Sequence, residues 1–212
     1  MRPERLVVAL GTGTEVGKTW VGAAVLGALA DAGHRVAARK PAQSFAPGSG
    51  PTDAEVLAAA TGERPEDVCP RHRWYEVPMA PPMAADLLGR PSFSVADLVA
   101  ETEWPAGVEV GWVETVGGPR SPMAADGDSA ALAAALGPDL LVLVGDARLG
   151  AINAVLLSVA VLPAPSMILL NRDDGSEVCA RNREWLDSEG LDVVAGPTDL
   201  VARIRLALPG NR

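Results

Sequence analysis

The feature that most constrains the fold of this chain is a glycine-rich segment near its N-terminus, residues 11–19, with the sequence GTGTEVGKT. A short, continuous apolar run at residues 6–10 precedes it, and a helix-like segment at residues 18–32 follows it. Such apolar runs are typical of strands buried on both faces of a parallel sheet. In a strand–loop–helix setting, glycines let backbone N–H groups wrap phosphate oxygens, while a lysine neutralises the outer phosphates. The segment therefore predicts a phosphate-binding loop.

This loop is a variant of the usual pattern, because five residues rather than four separate Gly11 from Gly17. A plain glycine-rich turn is the alternative interpretation, but the intact Gly17-Lys18-Thr19 frame between a strand and a helix favours phosphate binding. Lysine usage agrees, since Lys18 and Lys40 are the only lysines among 18 basic residues. Arginine does not replace a compact ammonium group at a tight site. Both positions therefore become candidate functional residues.

Apolar runs alternate with helical patterns along the rest of the chain. The patterns predict strands at residues 6–10, 35–39, near 74, 108–113, 140–144, 167–170 and 191–194. They predict helices at residues 18–32, 52–61, 82–88, 94–101, 152–162, 177–189 and a last one ending at 208, with residues 62–82 mostly irregular. This alternation predicts a single α/β domain over residues 1–212, a doubly wound, mostly parallel sheet with the P-loop NTPase fold. Ligands of such sheets bind beyond the carboxyl ends of the strands.

Composition excludes several other classes of protein. The net charge of −9, without clusters of Lys and Arg, argues against a nucleic-acid partner. The longest apolar stretch, at residues 154–162, is too short to cross a membrane, and the N-terminal run lacks a signal-peptide cleavage site. Cys69 and Cys179 are isolated, which is typical of a reducing compartment. We therefore expect a cytoplasmic protein without a membrane partner.

Two carboxylates also stand out from the residues alone. Glu114 ends an apolar strand, and a carboxylate in that position needs a cation or hydrogen-bond donors. Asp53, taken alone, reads as an ordinary first-turn acid of a helix capped by Thr52.

Taken together, these segments resemble the ATP-dependent dethiobiotin synthetases. The resemblance runs to about residue 172 and rests on residues 11–19 (GTGTEVGKT), 40–44 (KPAQS), 52–53 (TD), 78–85 (PMAPPMAA), 113–118 (VETVGG) and 149–153 (LGAIN). It implies a ligase of biotin biosynthesis that closes the ureido ring of dethiobiotin from 7,8-diaminononanoate, CO₂ and ATP, with Mg²⁺ as cofactor. It also implies a homodimer with shared sites.

The resemblance further implies a role for individual residues. Lys18 and Lys40 would stabilise a carbamate and the transferring phosphoryl group, and Thr14 and Ser44 would position substrate and phosphate. The implied Mg²⁺ ligands are Thr19, Asp53 and Glu114. The implied nucleotide contacts are Gly13, Thr14, Glu15, Val16, Gly17, Lys18, Thr19, Gly117, Asn171 and Pro197, with Asn171 reading the adenine. Gly150, Ala151, Ile152 and Asn153 would bind the substrate carboxylate of the neighbouring subunit.

The chain departs from the family pattern at three of these segments. Phe45 and Thr115 stand where the family usually has glycine, and Ala154 stands where it usually has histidine. The bulk of Phe45 and Thr115 is expected to alter the diamine pocket or the backbone approach, while every phosphate-binding and metal-binding group is kept.

Two alternatives remain open from the residues alone. One is a related ATP-dependent amidoligase or ATPase of the same fold with another substrate. The other is a non-catalytic nucleotide-binding paralogue that acts as a regulator. A non-catalytic binder has little need for Lys18, Lys40, Asp53 and Glu114 together, so their presence argues against the second alternative.

Overall fold

A computed structural model describes residues 1–208. The strands are β1 (Arg5–Gly11), β2 (Val36–Arg39), β3 (Gln43–Ser44), β4 (Trp74–Tyr75), β5 (Val110–Glu114), β6 (Pro122–Ala124), β7 (Gly127–Asp128), β8 (Leu140–Asp146), β9 (Ser166–Asn171) and β10 (Asp192–Val194). The helices are α1 (Lys18–Asp31), α2 (Asp53–Thr61), α3 (Pro65–Val68), α4 (Pro81–Leu87), α5 (Val95–Glu101), α6 (Ser129–Leu136), α7 (Ala151–Val159), α8 (Glu177–Ser188) and α9 (Pro197–Leu206). One 3₁₀ turn in the described part of the chain covers Arg71–Arg73.

The central element is a six-stranded sheet in the order β10-β9-β8-β1-β5-β2, and every pairing in it is parallel. This arrangement confirms the predicted α/β class. Helices cover both faces, because alternate residues of β1 pack into two separate apolar clusters. Val7 and Ala9 belong to the cluster under α1 and α2, whereas Leu6, Val8 and Leu10 belong to the cluster under α7 and α8. The single-domain prediction extends to residue 212, and residues 209–212 lie outside the described part of the chain.

Helix α2 begins where the sequence predicts, because its first turn carries a complete capping box. The Thr52 hydroxyl accepts a hydrogen bond from the backbone N–H of Glu55, and the Glu55 carboxylate accepts one from the backbone N–H of Thr52. This reciprocal pair satisfies two N–H groups that the helix itself cannot use. It also places Asp53 at the first position of the helix, facing α1.

Several short elements were missed by the sequence patterns. Helix α6 and the β6–β7 hairpin lie between β5 and β8, a region for which no element was predicted. The signals for α6 were present: Asp128 caps its first turn, and Gly137 ends it with a φ of 58°. The prediction that residues 62–82 are mostly irregular was wrong at α3 and at the 3₁₀ turn, although the short strand near Trp74 is confirmed as β4.

Within residues 1–208 no helix combines the length and the apolar character that a membrane span requires.

Candidate nucleotide site at the carboxyl edge of the sheet

The glycine-rich loop joins β1 to α1 at the carboxyl edge of the sheet. Two of its residues have left-handed backbone, Glu15 with a φ of 61° and Gly17 with a φ of 92°. A Cβ atom on Gly17 would lie 2.1 Å from the Nδ2 atom of Asn171, so only glycine fits there. A Cβ on Gly11 would lie 2.7 Å from the carbonyl oxygen of Gly13. The loop therefore needs its glycines both for conformation and for close approach.

Lys18 starts α1 and turns back across this loop. Its Nζ atom donates to the carbonyl oxygens of Gly13 and Gly117, each at 3.1 Å. Burial lowers the pKa of Lys18 to about 8, with the nearby Lys40 charge as the second cause. Both hydrogen-bond partners are neutral carbonyl groups, so the ammonium charge is available to an anion in the loop.

A group of four side chains lies beside the loop: Thr19 of α1, Asp53 of α2, Glu114 of β5 and Lys40, which directly follows β2. The Thr19 hydroxyl lies 2.8 Å from Asp53 Oδ1 and 2.9 Å from Glu114 Oε1. The Nζ atom of Lys40 lies 2.6 Å from Glu114 Oε1 and 2.7 Å from Asp53 Oδ2. The structure thus brings together the two lysines and the three oxygen-bearing residues that the sequence singled out.

Burial sets the electrostatics of this group. Burial alone would lower the pKa of Lys40, but the carboxylates of Asp53 and Glu114 outweigh it and raise that pKa above its ordinary value. Burial opposes ionisation of Asp53 as well, yet the Lys40 ammonium holds its pKa below the ordinary value. For Glu114, which is fully buried, burial dominates and raises the pKa. The stable ion pair is therefore that of Lys40 with Asp53, and Glu114 is the carboxylate that most needs a further positive charge.

The same residues fit a divalent cation. Glu114 Oε2 is buried and has no hydrogen-bond partner within residues 1–208. A hydroxyl carries one proton, so Thr19 serves only one of its two carboxylate neighbours at a time. Three oxygen-bearing side chains with unfilled acceptor capacity form the type of donor set that Mg²⁺ prefers.

The segment after β5 is held against the phosphate loop. Thr115 is fully buried, and its Oγ1 atom donates to the carbonyl oxygen of Ala9 at 3.2 Å. Gly117 has a φ of 50°, and a Cβ there would lie 2.2 Å from Ser121 Oγ. Ser121 Oγ in turn accepts from the backbone N–H of Gly118 at 2.9 Å. Sequence reasoning missed Ser121, although a serine shortly after a Gly-Gly pair is a common turn residue.

The two bulky departures from the family pattern, Phe45 and Thr115, both pack against other parts of the chain. Thr115 points into the protein interior, as its bond to Ala9 requires. The Phe45 ring packs edge-on against Trp74, with ring centroids 6.0 Å apart. Neither residue is among those that line the cleft beside the loop. Both side chains thus make packing contacts within the chain, and the effect of their bulk on the diamine pocket stays a prediction.

Ser44 and Asn171 each make one defined contact. The Ser44 hydroxyl donates to the carbonyl oxygen of Met79 at 2.5 Å, which ties β3 to the segment before α4. The Nδ2 atom of Asn171 donates to the carbonyl oxygen of Val16 at 3.0 Å, so the end of β9 supports the phosphate loop. Pro197 begins α9 directly after β10, the strand next to β9. The predicted adenine-side residues therefore follow adjacent strands.

A cleft of about 630 Å³ opens beside the phosphate loop. Its walls are Thr12, Gly13, Thr14, Gly118, Pro119, Arg120, Ser121, Pro122, Asn153, Ala154, Leu157, Ser158 and Val161. Gly150 begins α7 with a φ of 94°, and Asn153 is exposed in the first turn of that helix. One chain therefore already places Asn153 on the same cleft as Thr14.

Comparisons with known proteins agree with this geometry. A family model described as an AAA domain matches residues 5–193. The fold is also similar to that of the signal recognition particle receptor FtsY from Elizabethkingia anophelis, with a TM-score of 0.54 and 13% identity over 96% of this chain and 66% of that one. A parallel sheet with a glycine-rich loop, a lysine at the end of that loop and a threonine in the first turn of the next helix defines a P-loop NTPase fold.

Curated relatives identify the family within that class. The chain is 34% identical to the ATP-dependent dethiobiotin synthetase BioD of Ralstonia nicotianae, over 92% of this chain and 81% of that protein. It is 39% identical to the protein of the same name from Caulobacter vibrioides strain NA1000, over 73% of this chain and 72% of that protein. It is 40% identical to the protein of that name from Anaeromyxobacter sp. strain Fw109-5, over 75% of this chain and 71% of that protein. This chain belongs to the dethiobiotin synthetase family.

Proposed function

We propose that this protein is an ATP-dependent dethiobiotin synthetase that joins 7,8-diaminononanoate and CO₂ into a cyclic urea. The observation that carries the proposal is the meeting of Lys18, Lys40, Thr19, Asp53 and Glu114 at the phosphate loop. A simple nucleotide binder needs the loop and Lys18. It does not need a second buried lysine held between two carboxylates.

The reaction has three steps: carbamate formation, phosphoryl transfer and ring closure. One amine of the diamine takes up CO₂ as a carbamate, whose oxygen attacks the γ-phosphorus of ATP and releases ADP. The second amine then attacks the carbonyl carbon, and the C–O bond to phosphate breaks with loss of inorganic phosphate. The protein must therefore align two anions that repel each other, and it must stabilise the charge that moves onto the leaving groups.

The two lysines meet the electrostatic need. Lys18 faces the phosphates from the loop, and its carbonyl partners keep its Nζ atom between Gly13 and Gly117. Lys40 approaches from β2, and its raised pKa keeps it charged throughout the reaction. Fixed ammonium groups in a site shielded from water stabilise a phosphoryl-transfer transition state more strongly than mobile solvent does.

Thr19, Asp53 and Glu114 are the residues we assign to Mg²⁺. When bound, the ion would neutralise charge on the β- and γ-phosphate oxygens. The unpartnered Oε2 atom of Glu114 supports this assignment. Asn171 lies next to the loop. The part of its side-chain amide that does not bond Val16 would form hydrogen bonds with the N6 and N7 atoms of adenine.

The reaction itself provides the direct test. With MgATP, bicarbonate and 7,8-diaminononanoate, we expect phosphate release that requires all three, with one cyclic urea formed per ATP. Phosphate release and product, quantified by mass spectrometry, are followed together, and omission of Mg²⁺ serves as a control. ATP binding without diamine-dependent phosphate release would overturn the proposal in favour of another amidoligase of this fold.

We also propose a homodimer in which Asn153 of one chain contacts the substrate of the other. A 1:1 mixture of Lys18→Ala and Asn153→Ala chains, refolded together and assayed with the diamine near its wild-type KM, should then regain about a quarter of the wild-type rate, since half of the dimers are hybrids with one intact site each and neither homodimer turns over appreciably at that concentration. Asn153→Ala alone should raise the KM for the diamine about 10- to 100-fold, as expected for a lost hydrogen bond to a charged group.

Two differently tagged batches of Lys18→Ala, mixed in the same way, should show no gain and provide the control. A monomer in sedimentation would contradict the shared site. So would mixtures that stay inactive, because a contact made within one chain cannot be restored by a hybrid.

A further inference from the structure

The side chain of Gln43 is buried and connects β3 to the start of α2. It is 2% exposed, and its Oε1 atom accepts a hydrogen bond from the backbone N–H of Ala54 at 3.0 Å. The first N–H groups of any helix have no partner within the helix. The capping box serves Glu55, whereas the N–H of Ala54 depends on Gln43 because Ala54 is fully buried and out of reach of water.

This contact lies one residue from a group that the proposed function uses. Asp53 immediately precedes Ala54, and its two carboxylate oxygens lie 2.8 Å from the Thr19 hydroxyl and 2.7 Å from Lys40 Nζ. Lys40 and Gln43 belong to the same short segment after β2. That segment therefore holds two successive residues of α2, one by an ion pair and the next by a backbone hydrogen bond.

The other end of the Gln43 amide shows that this arrangement is not optimal for stability. Its Nε2 atom is buried and lacks a hydrogen-bond partner within residues 1–208. The amide cannot be reversed, because Nε2 would then face the N–H of Ala54, donor against donor. An apolar side chain of the same length would avoid the unsatisfied donor but would lose the acceptor at Ala54. The Nε2 atom of Gln43 therefore stays unpaired, while its Oε1 atom fixes the first turn of α2.

We infer that Gln43 is a positioning residue, which fixes the first turn of α2 so that the Asp53 carboxylate stays in the geometry required by the cation and by Lys40. The inference rests on the proposed role of Asp53 as a Mg²⁺ ligand. Gln43 touches neither substrate nor cation, so it acts through the backbone of Ala54. Residues that orient metal ligands in this way commonly change metal affinity 10- to 100-fold when removed.

A Gln43→Met variant tests the inference, because methionine has a similar length and cannot accept the Ala54 hydrogen bond. We expect Mn²⁺, used as a paramagnetic substitute for Mg²⁺, to bind the complex with ADP about 10-fold more weakly than in the wild type. Electron paramagnetic resonance measures that affinity without turnover. In the synthetase assay, kcat should fall about 10-fold while the KM for the diamine changes less than about 2-fold.

Two further variants separate positioning from stability. Ser94→Ala removes one acceptor at the first turn of α5, a comparable loss at a helix outside the site, and should leave Mn²⁺ affinity within about 2-fold of the wild type. Gln43→Glu keeps an oxygen of the right reach, and burial favours its neutral form, so it should retain most of the affinity. If Gln43→Met does not fold, Gln43→Asn keeps a polar amide that is too short to reach Ala54 and should show the same loss.

Wild-type Mn²⁺ affinity in folded Gln43→Met or Gln43→Asn would overturn the inference. An equal loss in Ser94→Ala, or a loss in Gln43→Glu as large as in Gln43→Met, would overturn it too. The Mn²⁺ affinity measurement tests this inference separately from the proposed function. If the wild type showed no diamine-dependent turnover, the synthetase assignment would be rejected, but the comparison of Mn²⁺ affinities would not change.

Discussion

A Lys18→Ala variant is expected to lose at least about 10²- to 10³-fold in kcat, equivalent to about 3–4 kcal/mol of transition-state stabilisation. The Nζ atom of Lys18 lies between the carbonyl oxygens of Gly13 and Gly117, where a transferring phosphoryl group would meet it. Alanine removes the charge but leaves the glycine geometry of the loop. Helix α1 should remain intact because alanine is the best helix former.

Phosphate release under saturating MgATP, bicarbonate and diamine measures the loss, and circular dichroism confirms the fold. Arg64→Ala is the matched control, since it also removes one positive charge, but from an exposed ion pair with Asp67. It should keep the wild-type rate. A Lys18→Ala protein with the turnover of the control would rule out the assignment of residues 11–19 as the catalytic phosphate loop.

Much of this site could be predicted from the sequence, because its signals are local. An apolar run, a glycine-rich loop and a lysine at the start of a helix are neighbours in the chain, so their pattern fixes β1, the loop and α1. The capping residues around Asp53 likewise predict where α2 begins. Parallel topology then places Asp53 and Glu114 at one edge of the sheet.

The contacts that give each group its chemistry were not predictable in the same way. The bond from Lys18 to Gly117 joins residues 99 positions apart, and the ion pair of Lys40 with Glu114 joins residues 74 apart. Their geometry follows from how the β2 and β5 strands pack, which no local pattern specifies. The direction in which a side chain points could not be predicted from the sequence either. The sequence singles out Thr115 only for its bulk after Glu114, whereas the structure turns its hydroxyl inward to the carbonyl oxygen of Ala9.

The largest expected effect on stability is that of Lys40→Met. Methionine matches the lysine in length and in burial, but it leaves the fully buried carboxylate of Glu114 without its closest cation, 2.6 Å away. Removal of one partner of a buried ion pair costs about 3–5 kcal/mol. That is a large part of the total of about 5–15 kcal/mol that holds a domain of this kind together. Urea unfolding at several pH values measures the loss.

The loss should depend on pH in a direction that Glu114 determines. Burial already holds its pKa above the ordinary value of 4.5, and removal of Lys40 takes away a charge that lowers it. The folded variant therefore binds more protons than the unfolded chain, so its free energy of unfolding falls as the pH rises above about 4.5. At low pH the carboxyl group is neutral in both states, and this part of the penalty disappears. We expect the deficit relative to the wild type to grow as the pH rises above about 4.5, on top of a part from the lost ion pair with Asp53 that is already present at that pH.

A second substitution tests whether Glu114 is the carboxylate responsible for this pH dependence. Glu114→Gln added to Lys40→Met replaces the unpaired charge by a neutral amide of the same shape, so the double variant should be more stable than Lys40→Met above pH 7 and nearly independent of pH. In the wild-type background the same Glu114→Gln change should destabilise, because there it removes the partner of a charged lysine. A change of sign between the two backgrounds is the signature of direct coupling between two groups. A deficit in Lys40→Met that stays constant with pH, or a double variant that is the least stable of all, would mean that Glu114 is not the group that Lys40 neutralises. The ion pair with Asp53 would then be the contact that matters for folding.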